Sequence, residues 1–153
     1  MRIAAMKTAI ITGAGSGIGL GTAEKLYAMG MAIVGVGRDA QKLANLETTL
    51  NDPARVATLS VDVTDKDAPK RIVDLALERF GRIDVLVNNA GAGSPKPLDE
   101  TDDEMLDAFL DVMLKAPFRL AREVIPHLKS GASIVNVTST YAMIGGRRGG
   151  AYS

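Results

Sequence analysis

The sequence predicts an α/β fold built on a doubly wound parallel sheet. Three observations carry that prediction. Short apolar, β-branched runs alternate with helical patterns of about 10 to 15 residues, the signature of strand–helix–strand units. Runs such as Val85-Leu86-Val87 and Ile134-Val135-Asn136-Val137 suit strands covered on both faces, as strands in parallel sheets are. Glycine, 16 of 153 residues, is concentrated in two places, with eight before Arg38 and five from Gly131 onward. Such clustering points to functional turns in an ordered chain, not to low complexity.

Lys7–Thr12 reads as the first strand, and Gly17–Met29 as a helix that Gly30 stops, glycine being the residue that best takes the left-handed helix-ending conformation. Met31–Val36 is the second strand. Asp39 can cap a helix running through about Leu50, with Leu43, Leu46 and Leu50 on one face. Arg55–Val63 supplies a third strand, Asp65–Phe80 a helix closed by Gly81, and Ile83–Asn88 a fourth strand. Thr101 with Glu104 forms a candidate capping box for a long helix towards Lys115. Pro117 is expected to kink or interrupt that helix, because proline has no N–H for the preceding turn, and helical pattern resumes to about Leu128. Ala132–Thr138 is the fifth strand. With no repeat and no disordered linker, residues 1–153 read as one domain.

Lys+Arg and Asp+Glu number 18 each, so the formal net charge is zero and no nucleic-acid partner is expected. The absence of cysteine excludes disulfides, thiolate metal sites and cysteine nucleophiles from these residues. One histidine, His127, cannot build a multi-histidine zinc site, and no metal is expected. No stretch approaches the roughly 20 apolar residues that span a bilayer. Met1–Lys7 lacks the apolar core of a signal peptide. The expectation is a soluble, cytoplasmic domain without a membrane partner.

Thr12-Gly13-Ala14-Gly15-Ser16-Gly17-Ile18-Gly19 joins the first strand to the first helix. A strand feeding a glycine turn into a helix N-terminus is a phosphate cradle: backbone N–H groups and the helix dipole face the anion, and missing side chains let a pyrophosphate approach. The run fits T-G-x-x-x-G-x-G, with Gly13, Gly17 and Gly19 in register and Gly15 additional. The bland alternative is a glycine loop without a ligand. The strand–turn–helix context favours the cradle, with Gly13, Gly15, Ser16, Gly17, Ile18 and Gly19 as candidate cofactor residues.

Further landmarks follow in order: Asp62-Val63 after the third strand, Asn88-Asn89-Ala90-Gly91 after the fourth, Ser139 after the fifth, and Tyr152 thirteen residues later. Through these the whole chain resembles the short-chain dehydrogenase/reductase family of the classical type, its 3-oxoacyl reductases included. The resemblance implies a Rossmann-type fold and hydride transfer between a nicotinamide cofactor and a small-molecule carbonyl or alcohol substrate. It implies that Asp62 and Val63 contact the adenine and that Asn89 lies along the adenosine ribose. Asn88 reads instead as a buried side chain tying neighbouring strands together.

In this family a carboxylate at the end of the second strand binds the ribose 2′-hydroxyl and repels a 2′-phosphate. Here Gly37 occupies that place, and Arg38 follows with a guanidinium that can hold a phosphate bidentately. Asp39 is either the ribose carboxylate displaced by two or a helix N-cap, and its place at a helix start favours the cap. The sequence thus favours NADP(H), with NAD(H) second; the bland reading of Arg38 is a solvated charge.

By the same resemblance Tyr152 moves the proton to or from the substrate oxygen and Ser139 holds that oxygen. A free phenol titrates near 10, so the family places a lysine one helical turn later to make it useful near neutrality. That lysine would be residue 156, and the sequence given stops at Ser153. The expectation is an amino-terminal piece of the family pattern, ending after the fifth strand and inactive by itself. Met113 stands where the family has an asparagine that anchors a water relay; a thioether cannot donate and hardly accepts, unless a shifted register makes Met113 core filling.

Substrate is expected over Gly91–Leu98 and Thr140–Gly150, with Ser94, Tyr141, Met143 and Ile144 as candidate lining. Arg147 and Arg148 read as a solvated pair. The resemblance implies a homo-oligomer through the helices over Asp99–Lys115 and Pro117–Lys129. The leading reading is an oxidoreductase acting on a ketone or secondary alcohol, a 3-oxoacyl thioester being one candidate. The alternative is a catalytically silent dinucleotide-binding protein with a sensing or assembly role.

Overall fold

Five β-branched runs become strands: β1 Thr8–Thr12, β2 Ala32–Gly37, β3 Val56–Ser60, β4 Val85–Asn88 and β5 Ser133–Asn136. The computed structural model describes residues 6–91, 93, 96–144 and 148–153. All neighbouring pairs are parallel, in the order β3-β2-β1-β4-β5. Helices α1 Gly17–Ala28, α2 Ala40–Leu50, α3 Ala68–Phe80, α4 Asp103–Leu110 and α5 Ala116–Val124 connect and cover them.

The two faces of the sheet are packed separately, which is what double winding requires. Ile10, Val34 and Leu86 point to the face closed by Ile72 and Ala76 of α3 and by Leu120 and Val124 of α5. Ala9, Ile11, Ile33 and Val87 point the other way, against Ala23 of α1 and Leu46 of α2. All five residues of β1 are buried because it lies at the centre of both cores. At the sheet edge β5 pairs with β4, and Val135 and Val137 stay 46% and 38% exposed.

Strands β4 and β5 are shorter than the sequence expectation, beginning at Val85 and spanning only Ser133–Asn136, and α5 ends at Val124. Three further boundaries differ, each for a local reason. β3 leaves the ladder after Ser60, short of Val63, because Asp62 accepts hydrogen bonds from the N–H and hydroxyl of Thr64 and turns the chain. That turn also delays α3 from Asp65 to Ala68. At α4 the cap is Asp102, whose carboxylate accepts from the Met105 N–H at 2.8 Å, while the Thr101 hydroxyl donates to the Pro97 carbonyl.

Pro117 does not break the long helix. A single widened π turn over Asp111–Lys115 links α4 to α5, with the Ala116 N–H reaching Asp111, and Pro117 falls in the first turn of α5. The absent proline N–H is accommodated where a helix start needs no donor.

Candidate functional site

Strand order reverses beside β1: the chain leaves β1 towards β2 on one side, while β4 stands on the other. The turns following β1 and β4 therefore part and open a crevice at the carboxyl ends of the strands, the place where such sheets bind ligands. Thr12 and Asn89 latch its two walls. The Thr12 hydroxyl accepts from the backbone N–H groups of Asn89 and Ala90, at 3.0 and 2.9 Å, and the Asn89 amide donates back to the Thr12 carbonyl at 3.0 Å. The glycine-turn pattern includes Thr12 without announcing this role; the signal for it in the sequence is a hydroxyl at a strand end before a glycine turn.

The glycines of the turn have different reasons. Gly17 has φ +53°, and a Cβ there would stand in open space. At Gly19 a Cβ would run into the Gly13 carbonyl, so the first turn of α1 is seated on the loop before it. A Cβ at Gly15 would lie 2.8 Å from Lys42 Cβ, so the additional glycine lets α2 pack against the turn. Ser16 is the N-cap of α1 and makes no side-chain capping bond. The leading N–H groups of α1 have no partner within the helix, and the helix dipole adds partial positive charge there.

Two cavities flank the Asn89–Gly91 turn, and Asn89, Ala90 and Gly91 line both. The smaller, about 300 Å³, brings together Gly13, Gly15, Ser16, Arg38, Asp62 and Val63, six of the residues singled out from sequence. The larger, about 990 Å³, brings together Ser139 and Tyr152 with Ile18, Met113, Phe118 and Tyr141. Gly17 and Gly19 shape the turn and line neither. Neighbouring residues of the π turn divide the two spaces, Val112 on the smaller cavity and Met113 on the larger. Met113 is half-buried on that wall and not in the core.

Charge gathers in the smaller cavity. Arg38 Nη1 lies 3.5 Å from Asp62 Oδ2. Partial burial pushes the Asp62 carboxyl up, but the Thr64 N–H and hydroxyl, with the Arg38 charge, hold it below the usual carboxylate range. Asp39 is the N-cap of α2, its Oδ1 accepting from the Lys42 N–H at 3.1 Å. Lys42 lines the same cavity, although no motif in the sequence marks it.

In the larger cavity Ser139 Oγ accepts from the Tyr141 N–H at 3.2 Å. The Tyr152 ring stands edge-on to Phe109 and Tyr141, with centroids 6.0 and 5.9 Å away. Asn88 donates to the Asn136 side chain at 2.8 Å, tying β4 to β5 as expected. Met143 and Ile144 are exposed and line neither cavity, and His127 is also exposed. Ser94 and Arg147 lie outside the described residues.

A family profile described as short chain dehydrogenase matches residues 7–153. An uncharacterized oxidoreductase of Staphylococcus saprophyticus is 38% identical over 137 residues, covering 87% of this chain and 58% of that protein. A crystal structure of a short-chain dehydrogenase/reductase (glucose/ribitol dehydrogenase) from Brucella melitensis superposes with a TM-score of 0.92 at 35% identity, over 95% of this chain and 60% of that one. A 3-ketoacyl-(acyl-carrier-protein) reductase from the same organism, complexed with NADH, gives 0.90 at 31% identity, over 95% and 62%. The chain thus spans about 58% of the length of the curated relatives it matches.

Proposed function

The chain belongs to the short-chain dehydrogenase family, and from that premise we propose that it forms the dinucleotide-binding part of an NADP(H)-preferring oxidoreductase acting on a ketone or secondary alcohol. One observation carries the reading: Ser139 and Tyr152 share a cleft whose Asn89–Gly91 wall is also the wall of the cavity beside the glycine turn. The dinucleotide fits what this chain offers, since Ser16 leaves α1 uncapped and the Cβ position of Gly17 faces open space.

A nicotinamide cofactor held here would supply the hydride chemistry. The chain's own residues do the rest. The N–H groups opening α1 would hold the pyrophosphate, Asp62 and Val63 would meet the adenine, and Asn89 would meet the ribose. Ser139, already accepting from the Tyr141 N–H, donates a hydrogen bond from its hydroxyl to the substrate oxygen and keeps its proton. Tyr152 passes a proton to that oxygen in reduction and takes it back in oxidation.

The NADP(H) preference is supported by Gly37 at the end of β2, by an Arg38 side chain 75% exposed at the cavity, and by the engagement of Asp39 in the α2 cap. A 3-oxoacyl thioester is the first substrate to try, given the Brucella reductase. Leu106, Leu110 and Ile125 leave apolar surface along α4 and the end of α5, which supports a homo-oligomer through those helices. Among the described residues no helix is long and apolar enough to cross a membrane. A cytoplasmic setting accords with the cysteine-free composition.

The test is NADPH oxidation by the full-length protein against small ketones and 3-oxoacyl thioesters. Turnover is expected, and Tyr152→Phe should lower it roughly 100-fold while dinucleotide affinity is kept. A folded protein that binds dinucleotide without Tyr152-dependent turnover would establish the silent binding protein instead.

A further inference from the structure

We infer that Arg119 is a positioning residue for the smaller cavity: from α5 it holds the turn that carries Asp62 and Val63 in place. The inference rests on the dinucleotide reading and adds to it a side chain that does not line the cavity. The segment after β3 needs such a tie. β3 stands at the edge of the sheet, and its end is bonded to the end of β2 by the Ser60 hydroxyl, donating to the Arg38 carbonyl at 3.1 Å, and by the Val61 N–H, donating to the Gly37 carbonyl at 2.9 Å. Beyond Val61 the chain bonds to itself. Asp62 Oδ1 accepts from the N–H and hydroxyl of Thr64, and the Asp62 carbonyl accepts from the Asp65 N–H. Those bonds fix the shape of the turn but not where it stands. The Arg38–Asp62 pair, 3.5 Å long and with Arg38 mostly in solvent, holds it only weakly.

Arg119 supplies the place. It lies in the first turn of α5, between the buried Ala116 and Leu120, and its Nη1 donates to the Thr64 carbonyl at 3.3 Å. Arg119 and Thr64 are both half-buried, so the bond is partly shielded from water. The arm made by α4, the π turn and α5 therefore acts on the cavity twice. Val112 of the π turn lines it together with Val63, and Arg119, farther along, sets where Val63 stands. Val63 and Val112 also meet Ala116 and Leu120 around a gap of only about 10 Å³, so a shift of the turn changes the distance between the two valines. A flat adenine ring gains most from apolar walls that are already in place, because walls ordered on binding cost affinity.

Calorimetry of the full-length protein with 5′-AMP and with nicotinamide mononucleotide separates the two halves of the dinucleotide. Arg119→Met removes the donors but keeps an apolar stem and a good helix former, so α5 is retained. It should weaken 5′-AMP about fivefold, because the freed turn must be ordered on binding and one hydrogen bond holds it by about that factor. Nicotinamide mononucleotide should bind as before, and Arg119→Lys, which restores a donor, should recover most of the 5′-AMP affinity. In the unliganded protein, hydrogen exchange at the Thr64 and Asp65 N–H groups should be faster in Arg119→Met. Should Arg119→Met not fold, Arg119→Gln, whose shorter side chain leaves its amide short of the Thr64 carbonyl, gives the same comparison. Equal weakening of both ligands would mean that Arg119 supports α5 at large, and the inference falls. Unchanged 5′-AMP affinity, or exchange no faster, also sinks it while the dinucleotide reading stands. If the unsubstituted protein binds neither ligand, that reading falls and Arg119 falls with it.

Discussion

A side chain added at Gly17 would enter the space beside the α1 N-terminus, whereas one added at Gly19 would collide with the Gly13 carbonyl. Their substitutions should therefore fail differently. Gly17→Leu places an L-residue at φ +53°, a strain of about 1–2 kcal/mol that leaves the fold intact. On the proposed function it should abolish dinucleotide binding, because the new side chain would enter the open space beside the α1 N-terminus where a pyrophosphate would have to approach. Gly19→Ala should lose stability and binding together. Urea unfolding beside titration calorimetry distinguishes the two, and unchanged binding by folded Gly17→Leu would remove the pyrophosphate from this turn. Single residues were legible in proportion to how local their chemistry is. Asp39 as a cap is a relation across three positions and could be read in advance. Lys42 at the cavity depends on Gly15 from another element, and no local pattern announces it.

At the scale of elements, the foot of the sheet is held by Asp84, just before β4. Its carboxylate accepts from the Thr8 N–H at 2.9 Å and from Arg82 Nε and Nη2 at 2.8 and 2.6 Å, and its backbone bonds both the Thr8 carbonyl and the Ser133 N–H. One residue thus joins β1, β4 and β5 at the end opposite the crevice. Partial burial pushes the Asp84 carboxyl up, but the bonds from Arg82 and Thr8 hold it below its ordinary value. A depressed carboxyl stabilises the fold above its unfolded value near 4, and that contribution fades as pH falls through the lower folded value. Asp84→Asn should therefore cost about 1–3 kcal/mol at pH 7, and the gap to the unsubstituted protein should narrow below pH 4. Urea melts at both pH values check this; a gap independent of pH would assign the effect to shape and not to charge. Element types were readable from periodicity, because each strand and helix carries its own apolar face. The π turn was not, since Pro117 signals only that a donor is missing and packing decides whether a helix kinks or widens.

For the whole molecule, the decisive relation is between the two cavities and the residues beyond the wall they share. Among the described residues no charged side chain lines the cleft that holds Tyr152, so no cation there assists a proton transfer by its hydroxyl. The isolated 153-residue chain should therefore show no Tyr152-dependent turnover, while a longer chain with a lysine four residues after Tyr152 should show it. Single-turnover oxidation of NADPH by the two lengths decides; robust turnover by the short one would make the lysine dispensable.

Alternation of buried strands with amphipathic helices determined the α/β class, and the spacing of Gly13, Gly17 and Gly19 determined where a glycine turn would join the first strand to the first helix. Both are properties of neighbours along the chain, set by backbone geometry and by which face each element must bury. The strand order β3-β2-β1-β4-β5, the Thr12–Asn89 latch and the meeting of Ser139 with Tyr152 in one cleft join residues far apart in sequence. Only packing both faces of the sheet at once selects those pairings, so only the tertiary structure could decide them.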